Sequence, residues 1–220
     1  MFLTLTDILN KDDLQRVHER LETLSWADGA RTAGGRARAV KQNEQADLSS
    51  KAGQGLHDFI KEAIESSSVL QAAARPKKWS RILISRTKDN GGYGNHVDNA
   101  LMGSMRTDLS FTLFLSDPST YDGGELVIDF PGAEHTAKPA AGDLVLYPSG
   151  AIHRVNPVTR GTRLAAIGWI ESHVRSADAR EILFDLDNTR ISLGKSLDAG
   201  APELLTLDKI TSNLLRRWAD

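Results

Sequence analysis

The hydrophobic pattern divides the chain into a helical beginning, a strand-rich middle and a helical end. After an alternating start, "FLTL", apolar residues recur at helical spacing and predict an amphipathic helix whose inner face is Leu14, Val17, Leu21 and Leu24. A second helix is predicted over "DLSSKAGQGLHDFIKEAIES", with an inner face of Leu56, Phe59, Ile60 and Ala63. Residues 26–45, between the two, are rich in glycine and arginine without an apolar period, so we expect a loop there.

From about residue 80 the pattern becomes one of short β-branched and aromatic runs. These runs are "SRILISR", "DLSFTLFLSD", "GELVIDF", "GDLVLYP" and "TRLAAIGWIES". Turn residues separate them, which favours an antiparallel sandwich or barrel over an alternating βαβ fold. After Ser172 the strands end, and "SADAREILFDLDNTRISL" and "PELLTLDKITSNLLRRWAD" both predict helices. The second of these has Leu204, Leu207, Ile210 and Leu214 on one side.

The predicted fold class is therefore mainly β with flanking helices. We expect three parts. Residues 1–77 hold an N-terminal strand and helices packed on the core, residues 78–177 form the β domain, and residues 178–220 form a C-terminal helical segment.

Composition and charge narrow the classes of function. The 220 residues carry a formal net charge of −2, which gives no electrostatic reason to expect binding to nucleic acid or to an acidic membrane. The absence of cysteine excludes a disulfide framework and a thiolate zinc site. The first residues make a poor signal peptide, and no apolar run approaches the roughly 18 residues of a membrane span. We expect a cytoplasmic protein.

The segment "GGYGNHVDNALM" places His96 two positions before Asp98, so in an extended strand both side chains lie on one face. Such a pair can share a hydrogen bond, bind one metal ion or simply face solvent. A second histidine, His153, follows the turn "PSGA", and Arg163 comes ten residues later. A strand–turn–strand return would bring Arg163 back near the level of His153.

These four residues form a candidate site with a chemical rationale. Two histidines and one carboxylate on one face of a metal leave positions open, as in non-haem Fe(II) oxygenases. A 2-oxo acid can chelate the metal through its keto and adjacent carboxylate oxygens. Its distal carboxylate then needs a buried cation, and an arginine supplies two parallel hydrogen bonds.

The segments "HVDNALM", "YDGGELVI", "AGDLVLYPSGAIHRVNPVTRGTR" and "AIGWIES" resemble the PKHD-type hydroxylases, relatives of the prolyl and lysyl hydroxylases in the Fe(II)- and 2-oxoglutarate-dependent dioxygenase superfamily. The resemblance implies a double-stranded β-helix, or jelly roll, with helices packed outside. It implies that His96, Asp98 and His153 bind iron and that Arg163 holds the distal carboxylate of 2-oxoglutarate, with no catalytic residue beyond the metal ligands.

The resemblance also implies cofactors and partners. The cofactors are Fe(2+), the cosubstrate 2-oxoglutarate and L-ascorbate. The partners are O2 and a small-molecule or amino-acid-type substrate, and some family members are linked to iron–siderophore uptake. The apolar face of the C-terminal helices leaves two options open, packing on the core or packing on a second copy in a homodimer.

The chain departs from the family where relatives often carry a cosubstrate-contacting tyrosine, because Thr87 stands at about that position. Either Tyr93 or Tyr147 takes its place, or the pocket differs in detail.

Two alternative functions stay open. "GDLVLYPSGAIHRVN" also resembles the second motif of cupins, which are metal-dependent isomerases or effector-binding modules, although cupins usually add a glutamate and a third histidine. The other alternative is an iron-binding regulator that has lost turnover.

Overall fold

The computed structural model describes residues 1–32 and 34–220. Within these residues the helices are α1 (Lys11–Glu22), α2 (Lys51–Glu65), α3 (Ser68–Ala74), α4 (Ala177–Leu193) and α5 (Pro202–Trp218). The strands that precede the β domain are β1 (Leu3–Leu5), β2 (Trp26–Asp28), β3 (Lys41–Gln42), β4 (Glu44–Ala46) and β5 (Pro76–Trp79).

The β domain itself contains twelve described strands. They are β6 (Leu83–Thr87), β7 (Gly92–His96), β8 (Leu101–Met102), β9 (Met105–Arg106), β10 (Leu109–Phe114), β11 (Asp122–Gly123), β12 (Leu126–Phe130), β13 (Ala133–Ala137), β14 (Leu144–Pro148), β15 (Ile152–Val155), β16 (Val158–Arg160) and β17 (Arg163–Ser172). No helix in the described part of the chain is long and apolar enough to cross a membrane.

Two antiparallel sheets face each other and confirm the predicted fold class. The larger has the order β1-β14-β10-β17-β6-β4-β2, with β5 also paired to β17, and the smaller has the order β13-β12-β15-β7-β3. Apolar side chains from both sheets meet between them, among them Phe114, Leu126, Ile128, Val145 and Tyr147. This is the jelly-roll arrangement that the sequence predicts.

Strand β10 shows how the sequence assigns its two faces. Leu109, Phe111 and Leu113 pack on the side covered by the helices. Ser110 and Thr112, which alternate with them, face the space between the sheets, since successive side chains of a strand point to opposite faces. Burying each large apolar side chain contributes roughly 1.5–3 kcal/mol. The helix side therefore stabilises the fold, while the polar side is available for chemistry.

The N-terminal helices begin where side chains satisfy their first backbone N–H groups. Asn10 accepts from the backbone of Asp13, and Asp13 accepts in return from the backbone of Asn10, a capping box. Ser50 caps α2, whose Leu56, Ile60 and Ile64 are fully buried against the large sheet. Both helices thus form the outer layer that the sequence predicts.

The C-terminal segment packs on the end of the β domain. Leu214, Leu215 and Trp218 of α5 lie against Val174, Ala179 and Leu183. At its tip, Asp220 accepts from Arg106 Nη1 at 3.1 Å. Arg106 also donates through Nε to Asp108 at 3.1 Å and through Nη2 to the Ser172 carbonyl at 2.9 Å. An ion-pair network therefore joins the end of the chain to strand β9.

The prediction of a loop over residues 26–45 is wrong, because β2, β3 and most of β4 lie within it, with 3₁₀ turns between β2 and β3; Ala33 lies outside the described residues. These strands are two or three residues long and largely polar, so no alternation of polar and apolar residues in the sequence could indicate them. Backbone pairing holds them in place: β3 pairs with β7, β4 pairs with β6, and β2 pairs with β4. Helix α3 was also not predicted.

Candidate active site

Three side chains converge at the mouth of a pocket between the two sheets. His96 ends β7, Asp98 follows it by two residues, and His153 lies on the neighbouring strand β15, paired directly with His96. Asp98 Oδ1 is 3.9 Å from His96 Nε2, and Asp98 Oδ2 is 3.6 Å from His153 Nε2. One donor atom from each residue lies within 4.8 Å of the other two, a spacing at which one metal ion can bind all three.

The hydrogen bonds of the two imidazoles fix which nitrogen is free. His96 Nδ1 donates to the Gly94 carbonyl at 2.8 Å, and His153 Nδ1 donates to the Ala151 carbonyl at 3.0 Å. Because a carbonyl can only accept, Nδ1 carries the proton and the neutral ring presents its Nε2 lone pair toward Asp98. This is the second hydrogen bond that metal-binding histidines usually make.

The environment of His96 favours the neutral, metal-binding form. Burial, helped by the nearby His153, lowers the pKa of His96 to about 4. The ring of Tyr93 stacks on that of His96, with centroids 3.5 Å apart and planes at 17°. Tyr147 meets His153 edge to face at 5.1 Å. Both histidines are thus held by aromatic packing as well as by hydrogen bonds.

The carboxylate of Asp98 is oriented by a serine of the opposite sheet. Ser110 Oγ donates to Asp98 Oδ2 at 2.7 Å and lies 2.8 Å from Ser149 Oγ, from which it accepts. Sequence reasoning missed Ser110. The signal was present, since Ser110 and Thr112 are polar residues alternating within an otherwise apolar strand.

Arg163 lines the same pocket from β17 and is only 1 % exposed. Its Nε and Nη2 have no hydrogen-bond partner, and its guanidinium lies 5.0 Å from the centroid of Phe114. The hydroxyl of Tyr121 is near but outside hydrogen-bonding geometry and is itself unpaired. Burial lowers the pKa of Arg163. Two unpaired nitrogens on a buried guanidinium suit an anionic ligand.

A glycine turn makes room for this arginine. Gly123 and Gly124 have φ of +74° and +70°, and a Cβ at Gly124 would lie 2.9 Å from both Arg163 Cδ and the ring of Tyr121. The sequence "YDGGE" predicts a tight turn entering a strand, and the structure confirms it. No motif along the chain indicates that Tyr121 lies beside Arg163.

The structure brings together all four residues predicted from the sequence. His153 and Arg163 lie on opposite sheets, so they face each other across the pocket rather than along one sheet. Thr87 pairs with Arg163 in the large sheet and is buried in the pocket wall. Tyr93 and Tyr147, the candidate replacements for a cosubstrate tyrosine, both line the pocket. Burial raises the pKa of Tyr93 to about 12, so its hydroxyl remains a hydrogen-bond donor at neutral pH.

The fold and the site define a class of protein. Residues 82–171 match the family model described as the 2OG-Fe(II) oxygenase superfamily, whose members use Fe(II) and 2-oxoglutarate. Residues 178–220 match the PKHD-type hydroxylase C-terminal domain. The chain is therefore an enzyme of the 2-oxoglutarate- and Fe(II)-dependent oxygenase class.

Full-length relatives identify the family within that class. A PKHD-type hydroxylase from Hyphomonas neptunium is 46 % identical over 222 residues, covering 99 % of each chain. The PKHD-type hydroxylase YbiX from Escherichia coli is 43 % identical over 225 residues, covering all of both chains. This chain belongs to the PKHD-type hydroxylases.

Solved structures share the fold at low sequence identity. A prolyl-4-hydroxylase from Pseudomonas putida has a TM-score of 0.53 and 21 % identity, covering 78 % of this chain and 92 % of its own. A prolyl hydroxylase from Trichoplax adhaerens, in complex with a hypoxia-inducible-factor peptide fragment, has a TM-score of 0.61 and 14 % identity, covering 78 % and 83 %. At these identities the comparison shows the fold alone.

Proposed function

We propose that this hydroxylase binds Fe(II) through His96, Asp98 and His153 and anchors the distal carboxylate of 2-oxoglutarate on Arg163. The reaction converts 2-oxoglutarate, O2 and a C–H bond of the substrate into succinate, CO2 and the hydroxylated product. The substrate is a small molecule or an amino-acid-type compound. The roles of these residues and the kind of substrate are our proposals, because the family comparison supports a hydroxylase without identifying its substrate.

One observation carries the assignment of the cosubstrate. Arg163 is buried with two unpaired nitrogens in the pocket that opens onto the histidines and Asp98. A five-carbon diacid bound near the metal would reach the guanidinium with its far carboxylate and supply the missing acceptors. The other nearby arginines are already paired at the surface. Arg154 binds Glu134 at 2.6 Å, and Arg160 binds Asp122 at 2.7 Å.

The chain's own residues prepare the site for this chemistry. The neutral Nε2 atoms of His96 and His153 and the carboxylate held by Ser110 provide a donor set that suits Fe(II), and the bound ion would supply the redox chemistry that links O2 to the 2-oxo acid. The carboxylate lowers the net charge of the bound ion. Tyr93 and Tyr147 pack on the histidines and exclude water from one side of the ligand set.

The pocket disfavours the cupin alternative. Among the described residues that line it there is no glutamate, and its histidines are His96 and His153. Within the described residues, the group of side chains close enough to hold one metal ion is His96, Asp98 and His153. A cupin set with a glutamate and a third histidine therefore has no counterpart in this pocket.

The test is release of succinate and CO2 from 2-oxoglutarate by the protein loaded with Fe(II), with L-ascorbate as the proposed reductant that sustains turnover. Zn(II), Ni(II) and Co(II) should occupy the same three ligands, often more tightly, and inhibit. Full turnover by rigorously iron-free zinc protein would overturn the oxygenase assignment. An Fe(II) protein that binds 2-oxoglutarate but releases no succinate with any substrate would instead indicate a regulator.

We also propose that residues 1–77, 78–177 and 178–220 act as supporting layer, catalytic domain and C-terminal appendage. The separate matches to residues 82–171 and 178–220 support the second boundary. Expression of residues 1–177 and measurement of metal binding per folded molecule would test this division.

A further inference from the structure

The hydroxyl of Tyr121 is a buried hydrogen-bonding group that the protein leaves unused. Tyr121 is 1 % exposed, and within the described part of the chain its hydroxyl has no hydrogen-bond partner. A buried polar group without a partner destabilises a fold, so native proteins keep few of them. Those that persist need an explanation, and a bound ligand is one.

Tyr121 lies directly beside Arg163. A Cβ at Gly124 would be 2.9 Å from Arg163 Cδ and 2.9 Å from Tyr121 Cε2, so the two side chains meet over this glycine. Burial raises the pKa of Tyr121, and the adjacent guanidinium only partly opposes that rise. The hydroxyl therefore keeps its proton at neutral pH and can donate a hydrogen bond.

Both side chains lack an acceptor at the same place. Arg163 Nε and Nη2 are unpaired among the described residues, and a guanidinium can only donate. The oxygen of Tyr121 could accept from it, but the tyrosine proton would still have no acceptor. Glu125 is close enough to act on both groups, yet its carboxylate is bound by Asn156 Nδ2 at 3.0 Å. A ligand carboxylate, with about four lone-pair sites, can satisfy all three donors.

The other two tyrosines serve the metal side of the pocket. The ring of Tyr93 stacks on His96 with centroids 3.5 Å apart, and that of Tyr147 meets His153 at 5.1 Å. Tyr147 also faces the guanidinium, but its hydroxyl lies beside two hydroxyl side chains of β10 with which it can pair. The unpaired tyrosine hydroxyl next to the arginine is thus that of Tyr121.

We propose that Tyr121 is a binding residue for the cosubstrate, and that its hydroxyl donates to the same far carboxylate of 2-oxoglutarate as Arg163. This inference rests on the proposed function, because it assumes that 2-oxoglutarate occupies Arg163. It assigns the contact with the cosubstrate to neither of the tyrosines considered from the sequence, Tyr93 and Tyr147.

The test measures binding without turnover, on full-length protein loaded with Zn(II) in place of iron. The probes, titrated by calorimetry, are 2-oxoglutarate and 2-oxopentanoate, which has the same five-carbon chain but ends in a methyl group. Tyr121→Phe should weaken 2-oxoglutarate binding roughly tenfold to a hundredfold, the effect of losing one hydrogen bond to a charged group. It should leave binding of 2-oxopentanoate unchanged, because that molecule has no far carboxylate.

Lys138→Met is the matched control, because Lys138 contacts the same tyrosine away from its hydroxyl. Its Nζ lies 4.2 Å from the centroid of the Tyr121 ring and donates to the Tyr121 carbonyl at 2.8 Å. This variant should bind both probes as wild type does. The inference is overturned if Tyr121→Phe binds 2-oxoglutarate like wild type, if it weakens both probes alike, or if Lys138→Met causes the same loss.

Arg163→Met, measured on the same two probes, separates this inference from the proposed function. If wild type binds both probes equally and Arg163→Met changes neither, the proposed function fails and the role of Tyr121 fails with it. If Arg163→Met loses affinity for 2-oxoglutarate while Tyr121→Phe does not, the failure is confined to Tyr121.

Discussion

Replacing Arg163 with methionine should weaken the binding of 2-oxoglutarate and, in the ligand-free protein, raise the stability of the fold. Methionine keeps much of the apolar stem but removes a guanidinium that is 1 % exposed and has two unpaired nitrogens. A fork of two charge-assisted hydrogen bonds contributes on the order of 1.5–3 kcal/mol per bond. Its loss should weaken 2-oxoglutarate binding by roughly two to four powers of ten.

The ligand-free protein should respond differently, since leaving a buried polar atom unsatisfied costs about 1–3 kcal/mol. Arg163→Met removes that cost and loses only the contact with Phe114, 5.0 Å away. A net gain of about 1 kcal/mol would raise Tm by roughly 2–4 °C for a chain of this size. Arg163→Lys should recover part of the affinity, because an ammonium group cannot reproduce the planar fork.

The assay is a thermal melt of metal-loaded protein with and without 2-oxoglutarate, together with titration of decarboxylation against 2-oxoglutarate. Arg160→Met is the control, since Arg160 is paired with Asp122 at the surface. The reasoning would be refuted by unchanged affinity for 2-oxoglutarate in Arg163→Met. A fall of several degrees in the Tm of the ligand-free variant would show instead that Arg163 is a packing residue.

His153→Ala should lose bound metal and activity together, measured by metal analysis of the purified protein; retention of one equivalent of metal would contradict its role as a ligand. Ser110→Ala should bind metal about tenfold to a hundredfold more weakly, because the ligand carboxylate loses its orienting hydrogen bond, and an unchanged titration would show that this bond is dispensable. A chain ending at residue 177 should melt at lower temperature yet bind metal normally per folded molecule, so a well-folded truncate without metal binding would be the adverse result. Asp220→Asn should lower Tm by a few degrees by weakening the network at β9, with circular dichroism as the measure, and an unaltered Tm would assign that network no role in stability.

The β domain and the site were predictable because their signals are local. The strand beginning at Leu109 alternates strongly, and His96, Asp98, His153 and Arg163 follow motifs that can be located by spacing. The pocket wall was not predictable, because β3 and β4 are short and polar and exist through pairing with strands tens of residues away.

Two features of the structure, the position of Tyr121 and helix α3, were not predicted from the sequence, for different reasons. Tyr121 reaches the site through the positive-φ turn at Gly123 and Gly124, a tertiary effect that no pattern along the chain expresses. Helix α3 could have been predicted from the sequence, because "SVLQAAA" is rich in helix-forming residues and Ser67 caps it.

The central position of β17 in the large sheet determines when the metal site can form during synthesis on the ribosome. All three proposed metal ligands are synthesised before β17, yet β17 separates β10 from β6 and is the strand that joins the two halves of the sheet. A nascent chain that has emerged only to residue 162 holds every ligand and all strands of the smaller sheet, but the large sheet that faces them is still in two separate parts. Such long-range pairing forms slowly and late. An arrested chain of that length should be digested by protease like an unfolded polypeptide, so iron acquisition follows completion of the chain rather than accompanying its synthesis.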